Sequence, residues 1–256
     1  GLILLFLASG AYSSPWQGSA LFSLLTILAF GMCLLAGVVS TSDCVSEEKR
    51  EGTLGLLFLT RLRGHDVVLG KWVARSLLSV LALLALVPVI TVPLLMGGLT
   101  GRGVAITAAV LANTLFLSLA LGMLVSVVTR DARHAVGLTV ILLAALIAAP
   151  VVPWLVGILG GRSPAALPWW VSLGWVSPGS LLGSALGHAL TGATLSASFW
   201  TGFAGQHAFA WGCLLMASWL LPRVWRETGS DPGAAHRMKR ARAAAPEGPV
   251  VGSPMA

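Results

Sequence analysis

Apolar runs about twenty residues long recur along this chain, each long enough as an α-helix to cross the roughly 30 Å hydrocarbon layer of a bilayer. Five can be read in full, at about 20–40, 72–96, 104–128, 135–159 and 198–221. Among lipid tails the backbone finds no water to bond, so such runs must close their hydrogen bonds within helices. Only 10% of the 256 residues are charged and 56% are apolar, whereas soluble domains carry roughly a quarter of their residues as charges. So few charges cannot coat a water-exposed surface of this size. A single-core soluble enzyme, a secreted disulfide scaffold and a disordered chain are thereby excluded. The expected fold class is an all-α polytopic membrane protein.

The first residues, Gly1–Ala11, are apolar but too short to span. Neither a basic segment nor a cleavage site flanks them, so they read as the last half of a spanning helix and not as a signal peptide. On this reading the chain is N-terminally incomplete, with a partial first span at 1–11. Trp16, Trp72, Trp200, Trp219 and Trp225 lie at or near span ends, either at headgroup level or buried between helices. Cys33, Cys44 and Cys213 show neither paired nor metal-ligand spacing and read as small packing residues. No metal site is expected.

The net charge of +7 would suggest nucleic acid in a soluble protein. Here the placement of the charges explains it. Lys49, Arg50, Arg61, Arg63, Lys71 and Arg75 follow the 20–40 span, Arg130 and Arg133 follow the 104–128 span, and six more follow Leu221. Only Arg102 and Arg162 fall on the other connections, so 14 of 16 basic residues occupy alternate segments. The positive-inside rule assigns those segments to the cytoplasm. The complete unit is expected to have six spans with both ends cytoplasmic, and no nucleic-acid partner.

Within the 1–221 membrane domain, two connections are unusual. Residues 42–71 form a large charged cytoplasmic loop. Residues 160–197 lie outside and are too apolar for a solvated loop, with two pieces short of a full span interrupted by Pro164, Pro168 and Pro178. Short broken helices dipping into the outer leaflet fit that pattern, shielded by protein. Residues 222–256, a cytoplasmic tail, are rich in Ala, Pro, Gly and Arg and read as disordered after Thr228.

The charged loop opens with Ser46, Glu47, Glu48, Lys49, Arg50 and Glu51, a mixed-charge turn extending the preceding span into water. Gly52 would stop that helix and Thr53 would N-cap a new one. Leu54, Leu57, Phe58 and Leu62 then recur at spacings of three and four, forming one apolar face. A helix of about ten residues cannot span; it lies along the inner interface, on its own bundle or against another protein.

Glu47 to Thr53, the leucine-rich stretch behind them, and Leu69-Gly70-Lys71 entering the next span resemble the signature of ABC-2 type transporter permeases. The layout resembles that family too: six spans, a short cytoplasmic link after the fourth, and an outer segment carrying Ser177-Pro178 before the last. The chain departs from the family where Thr60-Arg61-Leu62 stands in place of a proline after the leucine run, and in lacking an N-terminal interface helix. The resemblance implies a six-span ABC-2 type bundle with its first span incomplete, a cytoplasmic coupling helix at about 53–63 and an outer re-entrant segment. It further implies the permease subunit of an ATP-binding cassette exporter in the bacterial plasma membrane, paired with a second permease as a homo- or heterodimer. An ABC ATPase subunit would bind ATP and Mg, leaving this chain without catalysis or cofactor. The residues that would couple to that ATPase are Glu47, Glu48, Arg50, Glu51, Gly52, Thr53, Leu54, Leu57, Phe58, Arg61, Gly70 and Lys71. Without a transport role, the same loop would suit a membrane scaffold or assembly factor docking a cytoplasmic partner.

Other chemistry finds little support. Gly64 to Lys71 nearly spells a phosphate-binding loop, but it has five intervening residues where four are needed, and Trp72 stands where a hydroxyl must hold magnesium. His65-Asp66 and Arg133-His134 fall on cytoplasmic loops and read as ordinary loop polarity. His188 and His207 read as locally hydrogen-bonded. No Asp, Glu or Lys lies near the middle of a span, which speaks against proton or sodium coupling. Asn113, Thr114 and Ser118 share one helical stripe, and serve either helix–helix bonding, the commoner role, or a translocation path.

Overall fold

A computed structural model describes residues 15–42, 44, 64–97, 99–129, 131–151, 155 and 177–228. Six helices account for nearly all of them: α1 (Pro15–Ser40), α2 (Gly64–Leu95), α3 (Gly101–Val128), α4 (Ala132–Ala148), α5 (Pro178–Thr191) and α6 (Ala197–Thr228). No strand occurs among the described residues. Within α1, α2 and α3, the stretches Gln17–Ser40, His65–Leu95 and Gly101–Val128 are long and apolar enough to cross a membrane. This is the all-α, multi-pass architecture that the composition demands.

Helix ends follow local chemistry. α2 begins at Gly64, eight residues before the span read at 72, because no breaker intervenes and Asp66 complements the positive end of the helix dipole in its first turn. Gly70 and Lys71 therefore lie inside a helix. Pro88 and Pro93 sit within α2, and the Thr91 hydroxyl donates to the Pro88 carbonyl at 2.6 Å. Each proline frees the carbonyl four residues before it, at Leu84 and Val89, a cost that membrane helices tolerate. Thr100 caps α3, its hydroxyl accepting from the Gly103 N–H at 3.1 Å. α5 starts with Pro178 in its first turn and ends at Gly192, whose φ of 69° is the left-handed cap that lacks a Cβ penalty. At 14 residues α5 is short of a span. α6 continues through Pro222, and the Arg223 guanidinium lies 3.3 Å above the Trp219 ring.

α3 is the hub. In its apolar stretch 67% of residues are buried, against 11% in α2. Two apolar cores share it. One joins Leu117, Leu121, Met123 and Val127 to Val38, Cys44, Val67, Val68 and the α6 residues Ala210, Cys213, Leu214 and Ala217. The other joins Val104, Leu111 and Leu115 to Phe22, Ala29, Ile90, Phe199 and the α5 residues Leu181, Leu182 and Ala185. Gly103 allows α5 to lie against α3, since a Cβ there would fall 2.5 Å from the Ala189 Cα. Outward faces of α1, α2 and α4 stay apolar, with Leu28, Met32, Leu78, Leu84 and Ile141 exposed as a lipid-facing surface requires.

Candidate functional site

The polar groups of the bundle gather at two crossings of α3 and at the base of the 45–63 segment. α1 and α3 meet where both carry small residues four apart, Gly37 with Thr41 and Ser118 with Gly122. The backbones approach so closely that a Cβ on Gly37 would collide with the Ser118 carbonyl, and one on Gly122 would lie 2.5 Å from the Gly37 oxygen. Hydroxyls stitch the contact. Ser118 Oγ donates to the Leu34 carbonyl at 2.7 Å and accepts from the Gly37 N–H at 2.9 Å. Thr41 Oγ1 lies 2.9 Å from the Gly37 carbonyl and 3.0 Å from the Leu119 carbonyl. Small residues with hydroxyl cross-links are how apolar helices associate where lipid supplies no hydrophobic drive.

One turn beyond this crossing, the chain leaves α1 and later re-enters as α2. Cys44 is buried, with its thiol 3.6 Å from the Met123 sulfur on α3. Lys71, from α2, donates its ammonium to the Cys44 carbonyl at 2.8 Å. Both flanks of the 45–63 segment are thus tied to each other and to α3. Ser40 and Ser79 hydroxyls, 3.2 Å apart, add a second link between α1 and α2.

α3 and α6 are joined differently, by long side chains. Trp211 Nε1 donates to His207 Nε2 at 3.2 Å, and His207 Nδ1 lies 2.9 Å from the Asn113 amide oxygen. That oxygen only accepts, so the imidazole carries its proton on Nδ1 and leaves Nε2 free to accept from the indole. Asn113 completes the series by donating its amide N–H to the Phe203 carbonyl at 3.1 Å. Aromatic rings brace the row: Phe116 stacks on His207 at 4.9 Å, with Trp211 at 5.3 Å and Trp72 edge-on at 5.4 Å. Asn113 is buried, whereas Trp211 is 44% exposed, so the row runs from the core to the outside of the bundle.

Other polar groups are locally satisfied or stand alone. Thr114 donates back to the Val110 carbonyl of its own helix at 2.9 Å. His188 bonds the Ala193 carbonyl beside the α5 cap, as its expected local role predicts. His65 pairs with Asp66 and His134 with Asp131, each at 3.3 Å and exposed; both pairs sit at helix starts, in α2 and at α4, and not on the loops expected from sequence. Gln206 is fully buried on α6, one turn from the small residues Gly202 and Ala210, and neither amide atom has a bond among the described residues. Among the described residues no cluster of His, Cys, Asp or Glu is placed to hold a metal.

The residues expected to couple to an ATPase divide at the described boundary. Glu47, Glu48, Arg50, Glu51, Gly52, Thr53, Leu54, Leu57, Phe58 and Arg61 lie outside the described residues. Gly70 is exposed on α2 with open space around it, whereas Lys71 turns to the α1 side. Of the α3 stripe, Asn113 bonds across to α6, Ser118 bonds across to α1, and Thr114 bonds within α3. Cys44 is buried as a packing residue, whereas Thr41 and Trp211 have roles that the sequence reading misses. The Gly37-to-Thr41 and Ser118-to-Gly122 spacings, and His207-to-Trp211 one turn apart, are the signals that reveal them.

The family model described as ABC-2 family transporter protein matches residues 4–219, which takes in α1 to α5 and most of α6. No curated protein matches the chain.

Proposed function

From the premise that the chain belongs to the ABC-2 transporter family, and so is a non-catalytic membrane permease component of an ABC-type transporter, we propose that it forms the export path and is driven by a separate ATPase subunit. The observation that carries this reading is the extent of the match, whose bounds of 4–219 take in most of the helices and the charged 45–63 segment between α1 and α2. On this reading that segment is the coupling element. Glu47, Glu48, Arg50 and Glu51 form its charged rim, Leu54, Leu57 and Phe58 its apolar face, and Arg61 its far end, with Gly52 and Thr53 setting the turn between. The ATPase holds ATP and Mg, and its closure is delivered as a push on the loop.

Residues 160–197 form the outer re-entrant segment, with α5 as its short helix. A second permease, the same chain or a related one, completes the pathway. The complex sits in the bacterial plasma membrane with the Cys44 and Lys71 end in the cytoplasm. Supporting that orientation, Lys71, Arg75, Arg133 and Arg223 lie towards this end and Arg102 towards the other. Asn113, with Thr114 and Ser118 on the same stripe, borders the path. Of the three, Asn113 reaches furthest outward through His207 and Trp211.

The test is reconstitution with the ATPase in lipid vesicles. Association should be accompanied by a change in ATP turnover, and Glu48→Lys or Glu51→Lys should weaken association about tenfold, the loss of a few charge-assisted contacts. Association with no change in turnover points to a scaffold. Full association of both charge-reversed variants refutes the assignment of the loop.

A further inference from the structure

The family resemblance puts Lys71 among the residues that would touch an ATPase, yet its ammonium is directed inward. It is half-buried, and it donates at 2.8 Å to the backbone carbonyl of Cys44, on the opposite flank of the 45–63 segment. Cys44 lies past the end of α1 at Ser40, in the turn that leads out of the helix, and a hydrogen bond from a charged donor is stronger than one between neutral groups. The cation comes from α2.

Around this bond the segment's base is fixed to α3. The Cys44 thiol meets Met123, Thr41 bonds the Leu119 carbonyl, and Ser118 bonds Leu34 and Gly37. By contrast the apolar stretch of α2 is mostly exposed, although Val67 and Val68 pack its start into the core. Without the Lys71 bond, only apolar packing and the Ser40–Ser79 link would hold α2 to α1 here, and more of a force applied to the 45–63 segment would be lost as local motion. With the tie, α1 and the start of α2 must move together, and α3 with them.

We propose that Lys71 is a positioning residue that clasps the base of the coupling segment, converting a push on that segment into movement of α1, α2 and α3 as one body. This rests on the reading of the chain as an ATP-driven permease, but the clasp itself can be measured without that reading. Its guard is Cys44, a thiol buried beneath the bond.

The experiment uses the full chain in vesicles, with Cys33→Ala and Cys213→Ala leaving Cys44 as the one thiol, and compares Lys71→Met with Lys71→Arg. Maleimide modification of Cys44 should quicken about tenfold in Lys71→Met, since the charge-assisted bond that keeps the base shut is gone, and stay near the parent rate in Lys71→Arg. In the ATPase complex, Lys71→Met should copurify as the parent does while its effect on ATP turnover falls about tenfold, with Lys71→Arg restoring it. Unchanged Cys44 modification in Lys71→Met overturns the clasp. So does loss of copurification, which would make Lys71 part of the docking surface. If the parent chain never binds an ATPase, the permease reading falls, and the thiol measurement still decides the clasp.

Discussion

The two crossings of α3 hold the same helix by opposite means. Against α1, backbone meets backbone: glycines remove the Cβ atoms, and serine and threonine hydroxyls bond directly to carbonyls. Against α6, an amide, an imidazole and an indole reach across the gap in series, with Phe116 and Trp72 filling the space. A close backbone contact has one geometry and cannot slide without collision. A row of long side chains can exchange rotamers and partners while the helices shift. The difference teaches where rigidity and compliance lie: α1 and α3 form a fixed pair, whereas the polar row to α6 can be remade on one side of the closely packed contact that Ala210, Cys213, Leu214 and Ala217 make with α3.

The hardest blow to this contrast is Gly37→Leu. Its side chain has no room beside Ser118, and we expect a loss of about 3 kcal/mol or more, read as failure to recover monodisperse protein in detergent. Normal folding of that variant would show that the crossing is not closely packed. Gln206→Leu probes the compliant side. It removes two buried amide atoms that lack partners among the described residues, so thermal unfolding in detergent should show a gain of about 1–2 kcal/mol. A loss instead would mean that the amide meets a partner in the folded protein. The smallest effect belongs to Ser118→Ala, about 1 kcal/mol destabilising by denaturant unfolding, because two hydrogen bonds vanish while the close packing survives. A loss as large as that from Gly37→Leu would put the hydroxyl, and not the packing, in charge of the crossing.

How far this could be read from sequence depends on the physical signal. Run length and polarity expose spans directly, because hydrocarbon thickness imposes them, and the charges Arg133 and Arg223 mark the ends of α4 and α6. Boundaries are less legible: nothing in Gly64–Lys71 breaks a helix, so α2 starts earlier than its apolar core suggests. The stripe of Asn113, Thr114 and Ser118 is visible as a pattern, yet its division among α6, α3 itself and α1 is set by neighbours distant in sequence, 94 residues away for Asn113 and His207 and 84 for Ser118 and Leu34. Lys71 illustrates the limit most clearly. A lysine at the mouth of a span looks outward by default, and only the position of the Cys44 carbonyl turns it inward.

The burial of α3 also dictates an order of events during synthesis. The ribosome delivers α3 before α5 and α6, which supply much of its covering. In that interval α1 has already emerged and can engage Ser118, while the Asn113 amide still waits in the bilayer for the Phe203 carbonyl and His207. The nascent protein therefore passes through a stage in which its most protected helix is half clothed, with a polar group turned toward lipid until the last helix arrives.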